Sequence, residues 1–168
     1  MGIMRTAAVK GIIPAGNKVT ELRSNLTRLM NECAIVLEER FGQEGLDALT
    51  EVFSRLGSQD AKSMKERLRL DNGLEDASDA WKVIGHMFGA KMNDTWKSEE
   101  YVEFDHPFCP QHSEFQKHNA LYCDTVCLPY VKAVAEGIAP GISVGVVRKA
   151  TKDSTCIKSL ELEKPRSE

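Results

Sequence analysis

The chain has 168 residues, of which 42% are hydrophobic and 28% are charged, and its formal net charge is −3. This length and composition are typical of one globular domain with a sizeable core. The slightly acidic balance gives no electrostatic case for a nucleic-acid partner, and no apolar run reaches the roughly 20 residues that a membrane-spanning helix needs. We therefore expect neither a nucleic-acid nor a membrane partner.

The N-terminal segment is basic and partly apolar, which faintly resembles a targeting sequence. Lys10 divides its apolar stretch and Pro14 ends it, so no secretory core forms. We predict a flexible arm over residues 1–16, a single α+β domain over 17–162 and a charged tail over 163–168. Without a signal peptide, the expected location is the reducing cytoplasm, where the five cysteines act as thiols, ligands or nucleophiles rather than as structural disulfides.

Helical periodicity dominates the first half of the chain. A first helix is predicted between a cap at Asn17 and a stop at Gly42, because its apolar residues recur at steps of three and four. These residues are Leu22, Leu26, Leu29, Met30, Cys33, Val36, Leu37 and Phe41. A second helix is predicted to end at Gly57, a third to start at Ser58, and a fourth to cover residues 74–88.

After Gly89 the apolar residues alternate with a period of two, which favours strands. The strands are predicted at 91–97, 100–106, 142–146 and 156–162. A short helix is predicted at about 129–136. Helices followed by short antiparallel strands predict an α+β fold, in which the helical N-terminal half packs on one face of a small, mainly antiparallel sheet of about four strands.

Cysteine and histidine are concentrated in one segment, since six of the nine such residues lie between positions 106 and 127. The six are His106, Cys109, His112, His118, Cys123 and Cys127. Thiolates and imidazoles are strong metal ligands and effective nucleophiles or bases. Since the sequence has no phosphate loop, nucleophile elbow or zinc-protease helix, this segment is the predicted functional site.

A metal centre is one interpretation of the segment. Two residues separate Cys109 from His112, and three separate Cys123 from Cys127, which is compatible with a tetrahedral zinc site made of these four side chains. An iron–sulfur cluster on Cys109, Cys123 and Cys127, with Cys156 or His112 as the fourth ligand, is also compatible with the sequence. The cofactor therefore stays open between zinc, an iron–sulfur cluster and none.

A reactive thiol is the other interpretation. Pro129 cannot lie inside a regular helix, so a helix either begins near Leu128 or kinks there. In the first case Cys127 lies directly before a helix N-terminus, a position that lowers the pKa of a thiol. The candidate pairs of nucleophile and base are Cys127 with His118, and Cys109 with His112 or His106.

The order of motifs over roughly residues 26–162 resembles the L-2-amino-thiazoline-4-carboxylic acid hydrolase family. The segments that carry the resemblance are LEERFGQEGLDAL, DHPFCPQH, YCDTVCLPYVKAVAEGIAPGISV and TKDSTCIKSLEL. The matching positions are Cys109, Cys123, Cys156 and the helix end at Phe41-Gly42. The closing hairpin is also similar to the 4-vinyl reductase type of small-ligand domain.

The resemblance implies hydrolytic opening of a thiazoline ring, by attack of a thiolate or activated water on the carbon between nitrogen and sulfur. We therefore predict a small cytoplasmic hydrolase acting on a cyclic C–N/C–S substrate, with Cys109, His112, Cys127 and His118 as candidate catalytic residues. The alternatives are a metal- or iron–sulfur-binding accessory or sensor protein that uses the cluster 109–127, and a non-catalytic small-ligand binding domain. The expected partners are a small-molecule substrate or ligand and, through the apolar stripe of the first helix, a second copy of the chain.

Overall fold

The structure is a computed structural model that describes residues 8–118 and 120–162. Its five α-helices are α1 (Ala15–Phe41), α2 (Gln43–Leu68), α3 (Leu74–Phe88), α4 (Pro110–Lys117) and α5 (Leu128–Ile138). Its four strands are β1 (Lys91–Ser98), β2 (Tyr101–Phe108), β3 (Ile142–Arg148) and β4 (Ile157–Leu162). The first seven residues of the predicted arm and the whole predicted tail, 163–168, lie outside the described residues.

The strands form one sheet in the order β1-β2-β4-β3, and every neighbouring pair is antiparallel. Val102 pairs with Leu160 and Phe104 with Lys158, and all four side chains are buried on the same face. The helices cover this face, so the predicted α+β class and antiparallel sheet are confirmed. Within the described ranges, no helix combines the length and the apolar content that crossing a membrane requires.

Two apolar clusters form the interior. The first, which we call the sheet core, joins the sheet to α3 and α5 and includes Trp81, Val102, Phe104, Val134, Ile138 and Leu160. The second, the helix core, joins α1, α2, α4 and the turn before α5 through Ala34, Leu49, Phe53, Phe115, Tyr122 and Val126. Within the sheet core, the Trp81 and Phe104 rings lie 5.0 Å apart, and Trp81 Nε1 donates to the Val131 carbonyl at 2.9 Å.

The predicted break between a second and a third helix at Gly57 is wrong, because α2 runs without interruption to Leu68. A Cβ atom on Gly57 would lie 2.4 Å from the Tyr130 carbonyl oxygen and 3.0 Å from Ala133 Cβ. The glycine therefore allows α5 to approach α2 closely, at the usual cost of glycine in a helix, roughly 1 kcal/mol. The predicted stop at Gly42 is correct, and its φ of +59° is a conformation that glycine adopts without strain.

The Cys/His segment contains a helix that the sequence pattern did not predict, since α4 fills residues 110–117 between β2 and a loop. A single π-helical turn, Cys123–Cys127, follows and leads directly into α5. Of the two geometries that Pro129 allowed, the structure has the first, with α5 beginning at Leu128 and Pro129 in its first turn. Cys127 is therefore the last residue before this helix.

Candidate functional site

A cavity of about 420 Å³ lies between the helix core and the sheet core. Its walls come from α1, α2, α3, α5 and the inner face of the sheet, and apolar side chains such as Met30, Phe53, Ile84 and Val131 make up most of them. Cavities of about 300–1,000 Å³ with apolar walls and few polar groups are typical of ligand sites. The cavity is therefore the candidate functional site.

One side of the cavity opens to solvent between α1 and the end of α3. Leu22 and Met87 line the cavity and are also 68% and 64% exposed. Arg23 lies between them and donates from Nε to the Met87 carbonyl at 2.6 Å and from Nη2 to the His86 carbonyl at 2.9 Å. Because these carbonyls lie in the last turn of α3, Arg23 joins α1 to α3 at the mouth of the cavity.

The opposite end of the cavity carries a buried lysine. Residues of β4 alternate between two faces, so Lys158 points to the same side as Leu160 and is only 4% exposed. Its Nζ donates to Cys127 Sγ at 3.4 Å, and it has no ion pair with a carboxylate in residues 8–118 and 120–162. Burial opposes the charged form, but the neighbouring sulfurs of Cys127 and Cys156 raise the pKa of Lys158 above its ordinary value, so the amine is protonated at neutral pH.

The groups around Lys158 are mostly uncharged. His106 is 8% exposed, and burial together with the positive charge of Lys158 lowers the pKa of its imidazole to about 4. The neutral ring lies with Nδ1 at 3.3 Å from the Cys156 carbonyl, so Nδ1–H donates and Nε2 is left as an acceptor. Burial also raises the pKa of the Cys109 thiol to about 11, which keeps it protonated at neutral pH.

Of the predicted site residues, Cys109 and Cys127 line the cavity beside Lys158, and Cys156 is buried next to them. Cys123 packs against the helix core instead, and burial raises the pKa of its thiol well above the usual range. We call Cys109, Cys127, Cys156 and Lys158 the thiol–lysine cluster.

The two histidines of α4 make contacts elsewhere. His112 Nε2 donates to the Thr151 carbonyl at 2.7 Å, and His118 Nε2 lies 3.9 Å from a Glu32 carboxylate oxygen and 3.8 Å from one of Glu114. No hydrogen bond in the described part of the chain joins a histidine ring to a cysteine sulfur. The catalytic roles of Cys109, His112, Cys127 and His118 therefore stay predictions that no thiol–imidazole contact supports.

The prediction of a metal-binding protein is wrong for this arrangement, because no three Cys, His, Asp or Glu side chains of the described residues are placed to hold a metal ion. For the predicted set of Cys109, His112, Cys123 and Cys127, the physical reasons are clear. His112 is bonded to a backbone carbonyl, and the Lys158 ammonium lies among the sulfurs, where it would repel a cation. The same ammonium disfavours an iron–sulfur cluster that includes Cys156.

The polar residues of the cavity that sequence reasoning missed include Lys158 and Gln111. A signal for the first was present, since Cys156, Lys158, Leu160 and Leu162 alternate and thus place a lysine on an apolar face. Gln111 lies in the first turn of α4, is 7% exposed and lines the cavity. Its Nε2 atom has no hydrogen-bond partner among the described residues, and nothing in the local sequence indicates this.

Comparison with known proteins gives a structural similarity. No family model and no curated protein matches the chain. The chain is similar to a solved structure of trafficking protein particle complex subunit 3 from Naegleria fowleri, which is covalently bound to palmitic acid. The TM-score is 0.64, the match covers 89% of this chain and 99% of that chain, and the sequences are 11% identical. At this identity the similarity is one of fold.

The prediction of a thiazoline-opening hydrolase is wrong. The similarity is to a subunit of a trafficking complex, and the thiols expected to react lie around a lysine with no histidine ring bonded to them in the described residues. The comparison gives no support to the expected small-molecule substrate. A fold that also occurs in a subunit of a protein complex is compatible with the predicted association of copies of this chain, while the resemblance to the hydrolase family stays an untested prediction.

Proposed function

We propose that this protein is a non-enzymatic binding protein that holds one long aliphatic chain in the cavity and acts as a subunit of a larger protein assembly. The observation that carries the proposal is the apolar cavity of about 420 Å³ between the two cores. Support comes from the trafficking subunit of similar fold, which is bound to palmitic acid. The proposal includes the cytoplasm as the location, which the five free cysteines support because that compartment keeps thiols reduced.

The apolar walls supply the binding energy in this proposal. Each methylene group removed from water contributes about 0.8 kcal/mol, so a dozen buried methylenes contribute roughly 10 kcal/mol. This gain is comparable to the 4–15 kcal/mol or so that association costs in lost freedom of motion. A long chain is therefore favoured over a short one, and reactive groups are not required.

Two positions on α2 offer a matched test. Leu56 is 39% exposed and lines the cavity, whereas Val52, one turn earlier, is 57% exposed and does not line it. We expect Leu56→Trp to weaken binding of palmitic acid and of 1-hexadecanol at least tenfold, because the indole occupies the space of the chain. Val52→Trp is expected to bind both as the wild type does. Displacement of a fluorescent aliphatic probe measures the affinities, and a wild-type protein that binds neither compound would show the proposal to be wrong.

A separate observation supports self-association as a second function. Leu22, Leu29 and Val36 follow one another at seven-residue spacing along α1 and are 68%, 59% and 43% exposed. Apolar residues at this spacing form a stripe on one side of a helix, the arrangement by which helices pair. We propose that two copies of the chain associate through this stripe of α1.

Sedimentation velocity over a dilution series tests this second proposal. Leu29→Glu is expected to convert the dimer to a monomer, since a carboxylate in the apolar stripe would lose its water on association. Val52→Glu, at an exposed position of α2, is expected to leave the dimer intact. A wild-type chain that sediments as a monomer at all concentrations would rule out the proposal.

A further inference from the structure

We infer that the ligand of the cavity is a long-chain carboxylic acid, whose carboxylate binds Lys158 and Gln111 while its aliphatic chain extends towards the mouth. This inference rests on the proposed function and specifies the ligand class and its orientation. The inference is based on two buried hydrogen-bond donors at the sheet end of the cavity. Neither donor has a strong acceptor among the described residues.

Lys158 is the first donor. Its ammonium can donate three hydrogen bonds, and its side-chain partners, Cys127 Sγ at 3.4 Å and Cys156, offer only weak sulfur acceptors. A buried cation is costly unless an anion or strong acceptors surround it. Among residues 8–118 and 120–162 Lys158 has no ion pair with a carboxylate. Because it lines the cavity, a ligand can supply the missing anion.

Gln111 is the second donor. Its side chain is almost fully buried, lines the same cavity and leaves Nε2 without a hydrogen-bond partner among the described residues. An unsatisfied buried donor is costly, so such a group often marks the place of a missing acceptor. A carboxylate has two oxygens and accepts from several donors at once. It therefore satisfies both groups, whereas a hydroxyl provides less charge and fewer acceptor sites.

The other polar groups of the cavity favour this orientation. Asp60 is an acid in the wall, and its Oδ2 accepts a hydrogen bond from the Tyr130 hydroxyl at 2.7 Å, so that wall repels a second carboxylate. The guanidinium of Arg23 at the mouth is bonded to two backbone carbonyls of α3. His106 is neutral, and it lies beside Lys158 as an acceptor rather than as a second cation.

The thiols do not take the role of an anchor in this inference. Burial raises the pKa of Cys109 to about 11, and it raises the pKa of Cys123 still further. Neutral thiols are weak nucleophiles, so these two are poorly suited to form a thioester with an acyl group. Cys127 already accepts a hydrogen bond from Lys158. We therefore assign the anchor of the ligand to Lys158 and Gln111 rather than to Cys109 or Cys123.

The test compares palmitic acid with 1-hexadecanol, which has the same chain length and no charge. Binding to the delipidated full-length chain is measured by displacement of a fluorescent aliphatic probe. We expect the wild type to bind the acid at least tenfold more tightly than the alcohol, as a charge-assisted hydrogen bond implies. Lys158→Met keeps the length of the side chain and is expected to bind both compounds equally. Gln111→Met is expected to lose the preference only in part.

Arg23→Met is the matched control, because it removes the other cation that lines the cavity. It is expected to keep the preference for the acid. If Arg23→Met loses that preference and Lys158→Met keeps it, the carboxylate lies at the mouth and the inference is overturned. A wild type that binds acid and alcohol equally also overturns it but leaves the proposed function standing. Failure to bind either compound contradicts the proposed function itself.

Two further readouts use the wild-type protein, and a cysteine variant serves only to locate an adduct if one forms. The NMR titration of His106 is expected to shift to a higher pKa with palmitic acid and not with 1-hexadecanol, because the carboxylate offsets the positive charge of Lys158. The intact mass of the chain after incubation with palmitoyl-CoA is expected to stay unchanged. A palmitoyl adduct that disappears in Cys127→Ser would show that the chain is held as a thioester, which would overturn the inference.

Discussion

The two sides of the Cys/His segment differ in what the same residue types do. On the inner side, Cys109, Cys127 and the histidine of β2 face the cavity and a buried lysine. On the outer side, His112 donates to a backbone carbonyl, and His118 lies near the exposed carboxylate of Glu32 and the buried carboxylate of Glu114. A cluster of cysteine and histidine in the sequence is therefore divided by the fold into a cavity wall and a set of structural contacts.

The difference arises from what the side chains contact, since His106 and His112 are about equally buried, at 8% and 6% exposed. The inner groups are removed from water, so the Cys109 thiol and the His106 imidazole are both kept neutral at neutral pH. Groups held neutral in this way make a wall for a ligand rather than a nucleophile and its base. Of the outer histidines, His112 is buried and bonded to the Thr151 carbonyl, and His118 is partly exposed, so their contribution is to the position of α4 and its neighbouring loop.

The largest expected effect comes from the residue that holds α4 between the two sides. Phe115 is fully buried, and its ring meets the Tyr122 ring edge-on with centroids 5.7 Å apart. Phe115→Ala is expected to lower the free energy of unfolding by about 3–5 kcal/mol, because it leaves a cavity in the helix core. Phe108→Ala, at a position that is 42% exposed, is expected to cost less than about 1 kcal/mol. Equal losses in urea unfolding would show that the helix core does not anchor α4.

The next effect concerns acid stability and the inner side. The pKa of His106 is about 4 in the folded chain, below its ordinary value of 6.5. Between these two values the unfolded chain binds a proton that the folded chain does not, so stability falls as the pH falls through this range and by about 3 kcal/mol in all. His106→Gln is expected to remove this loss, as seen in urea unfolding at several pH values. On the outer side, His118→Gln is expected to lose stability between pH 6.5 and 4 as the wild type does. If His106→Gln also lost stability over this range, a buried neutral imidazole at position 106 would be contradicted.

The smallest effects separate the two outer histidines from each other. His112 is 6% exposed, and His112→Ala removes the donor to the Thr151 carbonyl, with an expected loss of about 1–3 kcal/mol. His118→Ala removes only two long contacts, to Glu32 and to Glu114. It is expected to cost less than about 0.5 kcal/mol because Glu114 keeps its ion pair with Lys117. Both variants are expected to bind palmitic acid as the wild type does. A marked loss of binding in either one would place the outer side within the functional site.

Local sequence patterns correctly predicted those helices and strands whose structure is decided by residues near in sequence. Alternation around Val102 and Phe104 predicted β2, and Gly42 and Gly89 predicted two helix ends. The helix break predicted at Gly57 was wrong because this glycine serves a tertiary contact, in which the carbonyl of Tyr130 approaches α2. From the neighbouring sequence a glycine is interpreted as a helix break, whereas only the packed structure shows that its missing side chain allows two helices to approach closely.

The sequence by itself determined the α+β class, the antiparallel sheet and the position of two cavity cysteines within one short segment. Only the tertiary structure decided what surrounds them. The cavity joins Leu22 of α1, Ile84 of α3 and Lys158 of β4, which are far apart in sequence, so no spacing could have predicted it. The charge of a thiol or an imidazole depends on burial and on the groups packed against it. That is why the cluster of cysteines and histidines predicted chemistry, while the fold placed only His106, Cys109 and Cys127 of it in the wall of an apolar cavity.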